Sequence, residues 1–347
     1  MPAAAPTPVT STPAPPGADR RLLPTWLKSA LVAGLIVFVV VYPSLDFTTG
    51  YRLRFATFLA MWIGLASSWN LLGGYTGYVD FGHVVFFGLG AYGVGMLMVK
   101  SDFPFWLALP AGGVAAAAFA LVIGVPTLRL RGPYFSIAML GMLVAVREIV
   151  RSLSSITGGG SGLSLPIVGA PTYESFFYLM AAVAGLVVAV SAWVRRSQFG
   201  LQLAAIREDE LAASMKGINV AGVKIRVFAL SAFLTGLLGG VNAYWVGYIV
   251  PQQVFLEAYT VQMIMMGLVG GLGTLGGPVL GAVVLYWLQQ TLWANFLDWH
   301  QLSLGLLLIA LIYLMPQGLL GAFGRRGVYS VRRLVETWVA SRSGDDR

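Results

Sequence analysis

The residues that could do chemistry are few, and the most prominent group of them lies in one charged segment, 195–226. Its centre is the run Arg-Glu-Asp-Glu at 207–210, which small residues and Gly217 follow. The chain has only two histidines, His83 and His300, and no cysteine. Thiol chemistry is therefore excluded, and no His, Asp and Glu residues stand at the spacings of known metal sites. We expect no enzyme activity, no cofactor and no metal site on the chain itself.

The sequence also lacks a nucleotide-binding motif. No loop of the GxxxxGK[ST] type, which would cradle the phosphates of ATP, is present. The spacing of Gly271, Gly273 and Gly276 matches a dinucleotide fingerprint, but no strand precedes it and its flanks are apolar membrane-span sequence. Any energy from ATP must therefore reach this chain through another protein.

The elements that must position the charged segment are apolar. Of the 347 residues, 57% are hydrophobic and 10% are charged, whereas soluble domains are about 45–50% apolar and about 25% charged. Repeated apolar runs approach the ~20 residues that cross a bilayer as a helix. The composition predicts an all-α polytopic membrane protein. In such a protein a net charge of +8 is typical of basic cytoplasmic loops rather than of nucleic-acid binding.

Apolar runs predict about eight to ten transmembrane helices. The runs are 29–45, 53–73, 77–98, 104–128, 133–151, 174–194, 223–248, 256–273, 277–297 and 301–316. The number is open at 77–98 and 256–273, because each run borders an uncharged, glycine-rich link, 73–77 or 273–277. Each link is either a tight turn between two spans or a break inside a re-entrant element.

Composition divides the chain into three parts. Residues 1–28, rich in Pro, Ala, Ser and Thr, are expected to be a disordered cytoplasmic tail. Residues 29–320 form the transmembrane domain, and 321–347 form a cytoplasmic or interfacial tail in which 325–340 is amphipathic. Most Lys and Arg residues fall on one side of the membrane when both termini are placed in the cytoplasm, which predicts that orientation.

Within the charged segment, residues 198–216 have the periodicity of a short helix. Apolar and small residues recur at spacings of three and four from Leu201 to Met215, and the run 207–210 supplies the polar side. Gly217 follows at a typical C-terminal stop position. Such a helix suits docking into a groove of another protein, and the alternative is a solvated loop.

Five segments, in order along the chain, resemble one protein family. The stretch AIREDELAASMKGINV (205–220) resembles the cytoplasmic coupling motif of ABC importer permeases. The other four are GYTGYVDFGHVVFFGLGAYGVGML (74–97), LRGPYFSIAMLGM (130–142), TGGGSGLSLP (157–166) and GLVGGLGTLGGPVLGA (267–282). Over about residues 55–320, the chain resembles the high-affinity branched-chain amino acid ABC permease family, in particular its second permease subunit.

The resemblance implies a type II importer-like permease core with a cytoplasmic coupling helix in residues 195–222, hereafter the coupling segment. It implies a homologous second permease, two cytoplasmic ATPases that hold ATP and Mg, an extracytoplasmic substrate-binding protein and surrounding membrane lipid. It further implies import of branched-chain or other hydrophobic amino acids by alternating access across a prokaryotic inner membrane. The residues that would contact the ATPase are Arg207, Glu208, Asp209, Ala212 and Gly217.

Two other functions stay open from the residues alone. A proton-coupled secondary transporter would use Asp80 or His83 as a proton relay, and a permease or channel for urea, short amides or another small solute would need neither. Neither alternative requires a helix that docks an ATPase, so the motif at 205–220 favours the importer. Asp80 and His83 stand near the start of a predicted span, where we expect an interfacial position or a helix cap at Asp80.

The remaining candidates lie within the spans. The polar side chains that could face a substrate pathway are Asn70, Thr76, Asp80, His83, Asn242 and Gln262. Hydrogen bonds between helices are the commoner use of such side chains in membranes. The glycines at small-residue spacing, which suit close helix crossing, are Gly236, Gly240, Gly273, Gly277 and Gly281. We expect the last three to lie near a subunit interface.

Overall fold

The computed structural model describes residues 42–44, 50–166, 172–295, 305 and 318–319. The chain divides into two units, 1–46 and 47–347. The first unit is described only at a 3-10 turn, Tyr42–Ser44, and every helix below belongs to the second.

Several predictions for the ends of the chain fall outside these residues. They concern the tails 1–28 and 321–347, the amphipathic stretch 325–340, and nearly all of the spans 29–45 and 301–316. The domain limits and the orientation of both termini therefore stay predictions.

The described part of the chain is almost entirely helical. The helices are α1 (Gly50–Thr76), α2 (Val84–Lys100), α3 (Phe105–Thr127), α4 (Pro133–Ser152), α5 (Ser154–Thr157), α6 (Tyr173–Arg196), α7 (Gln198–Glu208), α8 (Glu210–Met215), α9 (Val220–Val246), α10 (Pro251–Val254), α11 (Glu257–Gly270) and α12 (Gly277–Asn295). A 3-10 turn, Gly159–Ser161, precedes β1 (Leu163–Ser164), which pairs antiparallel with β2 (Tyr248–Ile249).

Six stretches of the described chain are long and apolar enough to cross a membrane. They are α1, α3, α4, α6, α9 and residues 251–270, which contain α10 and α11. Helix α2 is also apolar but has only 17 residues. Each of the predicted spans between residues 53 and 297 contains a helix, so the all-α membrane fold is confirmed. The total of eight to ten spans stays a prediction.

Local sequence signals explain where several helices begin and end. Pro133 occupies the first turn of α4, directly after Gly132 with φ 56, because proline needs no helical N–H partner there. The Thr172 side chain accepts the Ser175 N–H and starts α6. Gly247, with φ 71, ends α9 in the left-handed conformation that glycine adopts without strain.

Two helices of 27 residues each, α1 and α9, form the centre of the second unit. Helices α2 and α3 pack mainly on α9, and α6 packs mainly on α1. Helices α11 and α12 pack on each other and, together, on α1. The central helices meet at Ser68 and Ser231, where each hydroxyl donates to the carbonyl of the other residue at 2.8 and 2.7 Å. These reciprocal bonds hold the two helices together without leaving a buried hydroxyl unpaired.

The first pair of predicted packing glycines lies on the face of α9 that meets α2 and α3. A Cβ on Gly236 would come 2.8 Å from the Ala116 side chain, and one on Gly240 would come 2.7 Å from Val94. Gly90 of α2 is closer still, because its Cβ would lie 2.1 Å from the Gly236 carbonyl oxygen. Only small residues allow these backbones to approach so closely.

The other predicted packing glycines lie between α11 and α12 of the same chain, and their nearness to a subunit interface stays a prediction. A Cβ on Gly281 would come 1.8 Å from the Met266 carbonyl oxygen, and one on Gly277 would come 2.2 Å from that of Gly271. The close approach is therefore explained by packing within this chain.

The predicted start of the third span, residue 77, is wrong. Helix α1 continues to Thr76, and α2 begins only at Val84. Gly73 and Gly74 of the expected link are helical, and the Trp69 ring covers Gly73: a Cβ there would lie 2.5 Å from the ring. The break comes later, at Gly77 with φ 80, and leaves a non-helical stretch before α2.

Candidate functional site

The coupling segment folds as two helices, not as the single helix predicted over 198–216. Helix α7 ends at Glu208, and Asp209 is extended, with φ −159 and ψ 117. Its carboxylate accepts the N–H groups of Leu211 and Ala212 at 2.7 and 3.0 Å. Aspartate is among the strongest N-cap residues, so it starts α8 here instead of continuing α7. The hydrophobic periodicity of the sequence does not predict this local break in the helix.

A buried lysine fixes the start of α8. The Lys224 ammonium, on α9, donates to Glu210 Oε1 at 2.9 Å, to the Tyr78 hydroxyl at 2.8 Å and to the Leu128 carbonyl at 3.1 Å. The Tyr78 hydroxyl in turn donates to Glu210 Oε1 at 2.5 Å. Lys224 is only 4% exposed, so its charge depends on these partners. This cluster joins the coupling segment to α9 and to the stretch that follows α1.

An open cavity of about 920 Å³ lies beside this cluster. Its walls are residues 76–79, Phe81, the start of α4 and residues 206–211, and they include the apolar side chains of Ile137 and Leu140. Arg131 stands at the wall with Nε 3.5 Å from Glu210 Oε2. The Arg131 side chain is well exposed, so this pair adds little to stability.

The Glu210→Gln variant should be less stable than the natural protein at pH 7 but not in acid. Burial raises the pKa of the Glu210 carboxyl, but hydrogen bonds from Tyr78 and Lys224 and the charges of Lys224 and Arg131 more than offset this, so the pKa is lowered. A carboxylate with a lowered folded-state pKa stabilises the fold above its unfolded pKa, about 4.3, and loses that contribution as pH falls below it.

Thermal unfolding of the purified protein in detergent, measured between about pH 7 and pH 3, checks this expectation. The gap in melting temperature between the natural protein and Glu210→Gln should close as the carboxylate is protonated. The exposed neighbour Glu208 provides the control, because Glu208→Gln should show no such pH-dependent gap. A gap of constant size at every pH would contradict the assignment.

Arg207 joins the coupling segment to the ends of two transmembrane elements. Its Nη1 donates to the Gly74 carbonyl, in the last turn of α1, at 2.8 Å. A Cβ on Gly273, between α11 and α12, would come 2.0 Å from the same nitrogen, so glycine leaves room for the guanidinium. Asn70 of α1 binds the same turn: its amide donates to the Thr274 carbonyl and its oxygen accepts the Gly273 N–H, both at 3.0 Å. A displacement of α7 therefore acts directly on both elements.

The other residues predicted to meet an ATPase face solvent. Glu208, Ala212 and Gly217 are all exposed, and a Cβ on Gly217 would touch nothing within 4 Å. Leu211 and Met215, one helical turn apart on α8, are 60% and 79% exposed. Apolar side chains presented side by side in a charged segment are typical of a binding surface. Contact with an ATPase stays a prediction.

Asp80 and His83 lie in a buried polar cluster between α1 and α9. His83 Nδ1 is 3.0 Å from Asp80 Oδ2, and His83 Nε2 is 2.9 Å from Thr235 Oγ1 and 3.2 Å from Ser231 Oγ. Ser68 Oγ extends the cluster to Thr235 at 2.7 Å. Both Asp80 and His83 are fully buried, so neither meets solvent, and their expected position at the membrane interface stays a prediction. Mutual pairing and the α9 hydroxyls make the burial tolerable.

The other predicted pathway residues lie in separate places. Thr76 lines the open cavity, and Asn70 holds the turn between α11 and α12. Asn242 is buried in α9, and Gln262 of α11 donates to Gln289 of α12 at 2.7 Å. These side chains do not converge on one site, and their role in transport stays a prediction.

Sequence reasoning passed over Tyr78, Lys224 and Thr235. Lys224 carried a usable signal, because a lysine just inside an apolar span needs a buried partner. Glu210 was recognised as part of the polar run but not as the partner. Tyr78 and Thr235 gave no such signal, because an aromatic residue and a threonine are ordinary within a span.

Comparison with known proteins finds both a matching family and individual relatives of this chain. The family model described as "Branched-chain amino acid transport system / permease component" matches residues 51–315. The high-affinity branched-chain amino acid transport system permease protein LivM of Escherichia coli (strain K12) is 30% identical over 84% of this chain and 75% of that protein. LivH of the same organism is 25% identical over 74% of this chain and 90% of that protein. The L-arabinose ABC transporter permease protein AraH of Azospirillum brasilense is 29% identical over 58% and 62%.

No solved structure matches the chain significantly. The family match nevertheless extends from the first turn of α1 beyond the end of α12, so it covers the coupling segment, the buried cluster and the glycine crossings together. This chain belongs to the family of branched-chain amino acid transport system permease components and is a multi-pass membrane protein.

Proposed function

We propose that this chain is the permease subunit of an ATP-driven ABC importer that moves branched-chain or other hydrophobic amino acids across a prokaryotic inner membrane by alternating access. Relatives named LivM and LivH are permease proteins of one named transport system, which supports pairing with a homologous second permease. Two partner ATPases would hold ATP and Mg, and an extracytoplasmic binding protein would deliver the substrate.

The observation that carries this proposal is the form of α8. Its outer side presents Leu211 and Met215 to solvent, and its first residue, Glu210, is bonded to the buried Lys224 of α9. An exposed apolar surface suits a groove on an ATPase, and a buried ion pair behind it prevents α8 from moving alone. A movement of the ATPase would therefore be passed into the transmembrane helices.

A charge placed on this surface is expected to abolish coupling to the ATPase. In Met215→Asp, an exposed apolar contact becomes a carboxylate, and in Ala212→Trp a large ring projects from the same short helix. Both side chains are exposed, so the variants should insert and fold normally. We expect uptake of radiolabelled leucine by cells to fall at least about tenfold, because an interface residue of this kind contributes roughly 1.4 kcal/mol or more.

The matched control is Met215→Leu, which keeps the apolar contact and should keep transport. Copurification of the ATPases with the tagged permease separates loss of docking from loss of expression. Met215→Asp and Ala212→Trp should retain membrane levels and lose the ATPases. If both variants keep the ATPases and transport leucine normally, α8 is not the docking surface and the proposal fails.

A further inference from the structure

The stretch between α1 and α2, residues 77–83, is non-helical and yet mostly buried. Gly77, with φ 80, turns the chain out of α1, and the stretch then runs into the protein as far as the fully buried His83. We name it the link segment. Because it lacks the hydrogen-bond ladder of a helix, its position must be held by contacts with other elements.

Successive residues of the link segment are bonded to different elements. Tyr78 is bonded to the coupling segment and to α9, as described above. The Val79 carbonyl accepts the Ser136 hydroxyl of α4 at 2.6 Å. The Asp80 carbonyl accepts the indole N–H of Trp69, on α1, at 2.9 Å. The cytoplasmic half of the link segment is thus fixed to α4 and α1 as well as to the coupling segment.

The far end of the link segment is tied to two further helices. His83 Nε2 lies 2.9 Å from the Thr235 hydroxyl of α9. The N–H of Val84, where α2 begins, donates to the Thr260 hydroxyl of α11 at 3.0 Å. His83, Thr235 and Thr260 are all fully buried, so water does not compete for these bonds.

The link segment is also stiffened from within. Asp80 Oδ1 accepts the Gly82 N–H at 2.8 Å, and Oδ2 is 3.0 Å from His83 Nδ1. The Asp80 carboxylate beside Nδ1 fixes the orientation of the ring, which keeps Nε2 against the Thr235 hydroxyl. Gly82 lies against α4, where a Cβ would come 2.3 Å from the Met139 carbonyl oxygen. The segment can neither bend internally nor slide past α4 without breaking these contacts.

We infer that the link segment is the rigid connection that carries a displacement of the coupling segment from Tyr78 to α9 at His83 and to α11 at Val84. His83 and Thr235 are then positioning residues for transport, because they act through the helices they hold and touch no substrate. This inference rests on the proposed function, since it requires a coupling segment that an ATPase moves. It assigns Asp80 and His83 a mechanical role in place of a substrate-pathway role.

The test uses the complete transporter that the proposed function implies, with a second permease, ATPases and a binding protein, in proteoliposomes. Thr235→Val removes the hydroxyl that His83 and Ser68 both contact, and it keeps the side-chain shape. The ATPases should still copurify and their hydrolysis without binding protein should be unchanged. Leucine transported per ATP hydrolysed should fall about tenfold, the loss expected for one buried hydrogen bond. Adding Tyr78→Phe should lower the ratio little further, because both changes interrupt one connection.

Thr57→Val is the matched control, because the buried Thr57 hydroxyl donates to the Leu53 carbonyl of its own helix at 2.8 Å. It removes an equally buried hydroxyl without touching the link segment and should leave the ratio unchanged. A normal ratio in Thr235→Val, or losses from Thr235→Val and Tyr78→Phe that multiply, would overturn the inference. If the ATPases fail to copurify with the natural permease, the proposed function is wrong, and this inference, which rests on it, is wrong as well.

Discussion

Replacing Lys224 by Met should abolish transport and lower the free energy of unfolding by about 3 kcal/mol. The ammonium group is 4% exposed and donates to Glu210, Tyr78 and the Leu128 carbonyl. Methionine fills similar volume but leaves the Glu210 carboxylate half-buried without its main cation. An unpaired charge in such a place costs more than the pair itself contributes. Because α8 then loses its attachment to α9, we expect leucine uptake to fall to background.

Two further variants make this expectation specific. Lys216→Met removes an exposed lysine from the same segment and should change neither stability nor uptake appreciably. The double variant Lys224→Met with Glu210→Gln removes both charges and should be more stable than Lys224→Met alone, while transport stays lost. Chemical unfolding in detergent measures both differences. Equal stability of Lys224→Met and Lys216→Met would show that the pair does not hold α8.

The sequence predicts the transmembrane helices well because their signal is local. Each apolar run between residues 53 and 297 is long enough to indicate a membrane helix by itself, so composition alone places the corresponding helix to within a few residues. The break before α2 is misplaced for a reason that composition does not contain. Gly73 and Gly74 look like a break, but the Trp69 and Asn70 side chains pack over them and the helix continues. Glycine content does not report what covers a glycine.

The sequence predicts where the candidate site lies but not which side chains are bonded to each other there. The charged run between two apolar spans locates the coupling segment, and the family resemblance supplies a role. The helix break at Asp209 depends on a competition between capping and helix continuation that periodicity does not measure. The bond from Lys224 to Tyr78 spans 146 positions, and that from His83 to Thr235 spans 152. Contacts between residues so far apart in the chain depend on how α1 and α9 pack, and no local sequence pattern predicts that packing.

Adding a single methyl group at Gly90 should destabilise the protein by about 2–3 kcal/mol, the cost of overpacking a tight contact. In Gly90→Ala the new Cβ would lie 2.1 Å from the Gly236 carbonyl oxygen and 2.4 Å from its Cα. Both atoms belong to helix backbone, so relief requires α2 and α9 to move apart. Gly→Ala at an unhindered helix position otherwise favours the helix by about 1 kcal/mol, so the sign of the effect is diagnostic.

Gly185→Ala on α6 is the matched control, because a Cβ there would meet nothing within 4 Å. Gly185→Ala should leave the unfolding free energy unchanged or raise it, whereas Gly90→Ala should lower it. Gly90→Ala should also reduce uptake, because it loosens the packing of α2 on α9, next to the bond from His83 to Thr235. Unfolding in detergent compares the two variants directly. If both behave alike, the approach of α2 to α9 is less close than the geometry states. Opposite signs would show that contact between two backbones, and not helix propensity, selects glycine at residue 90.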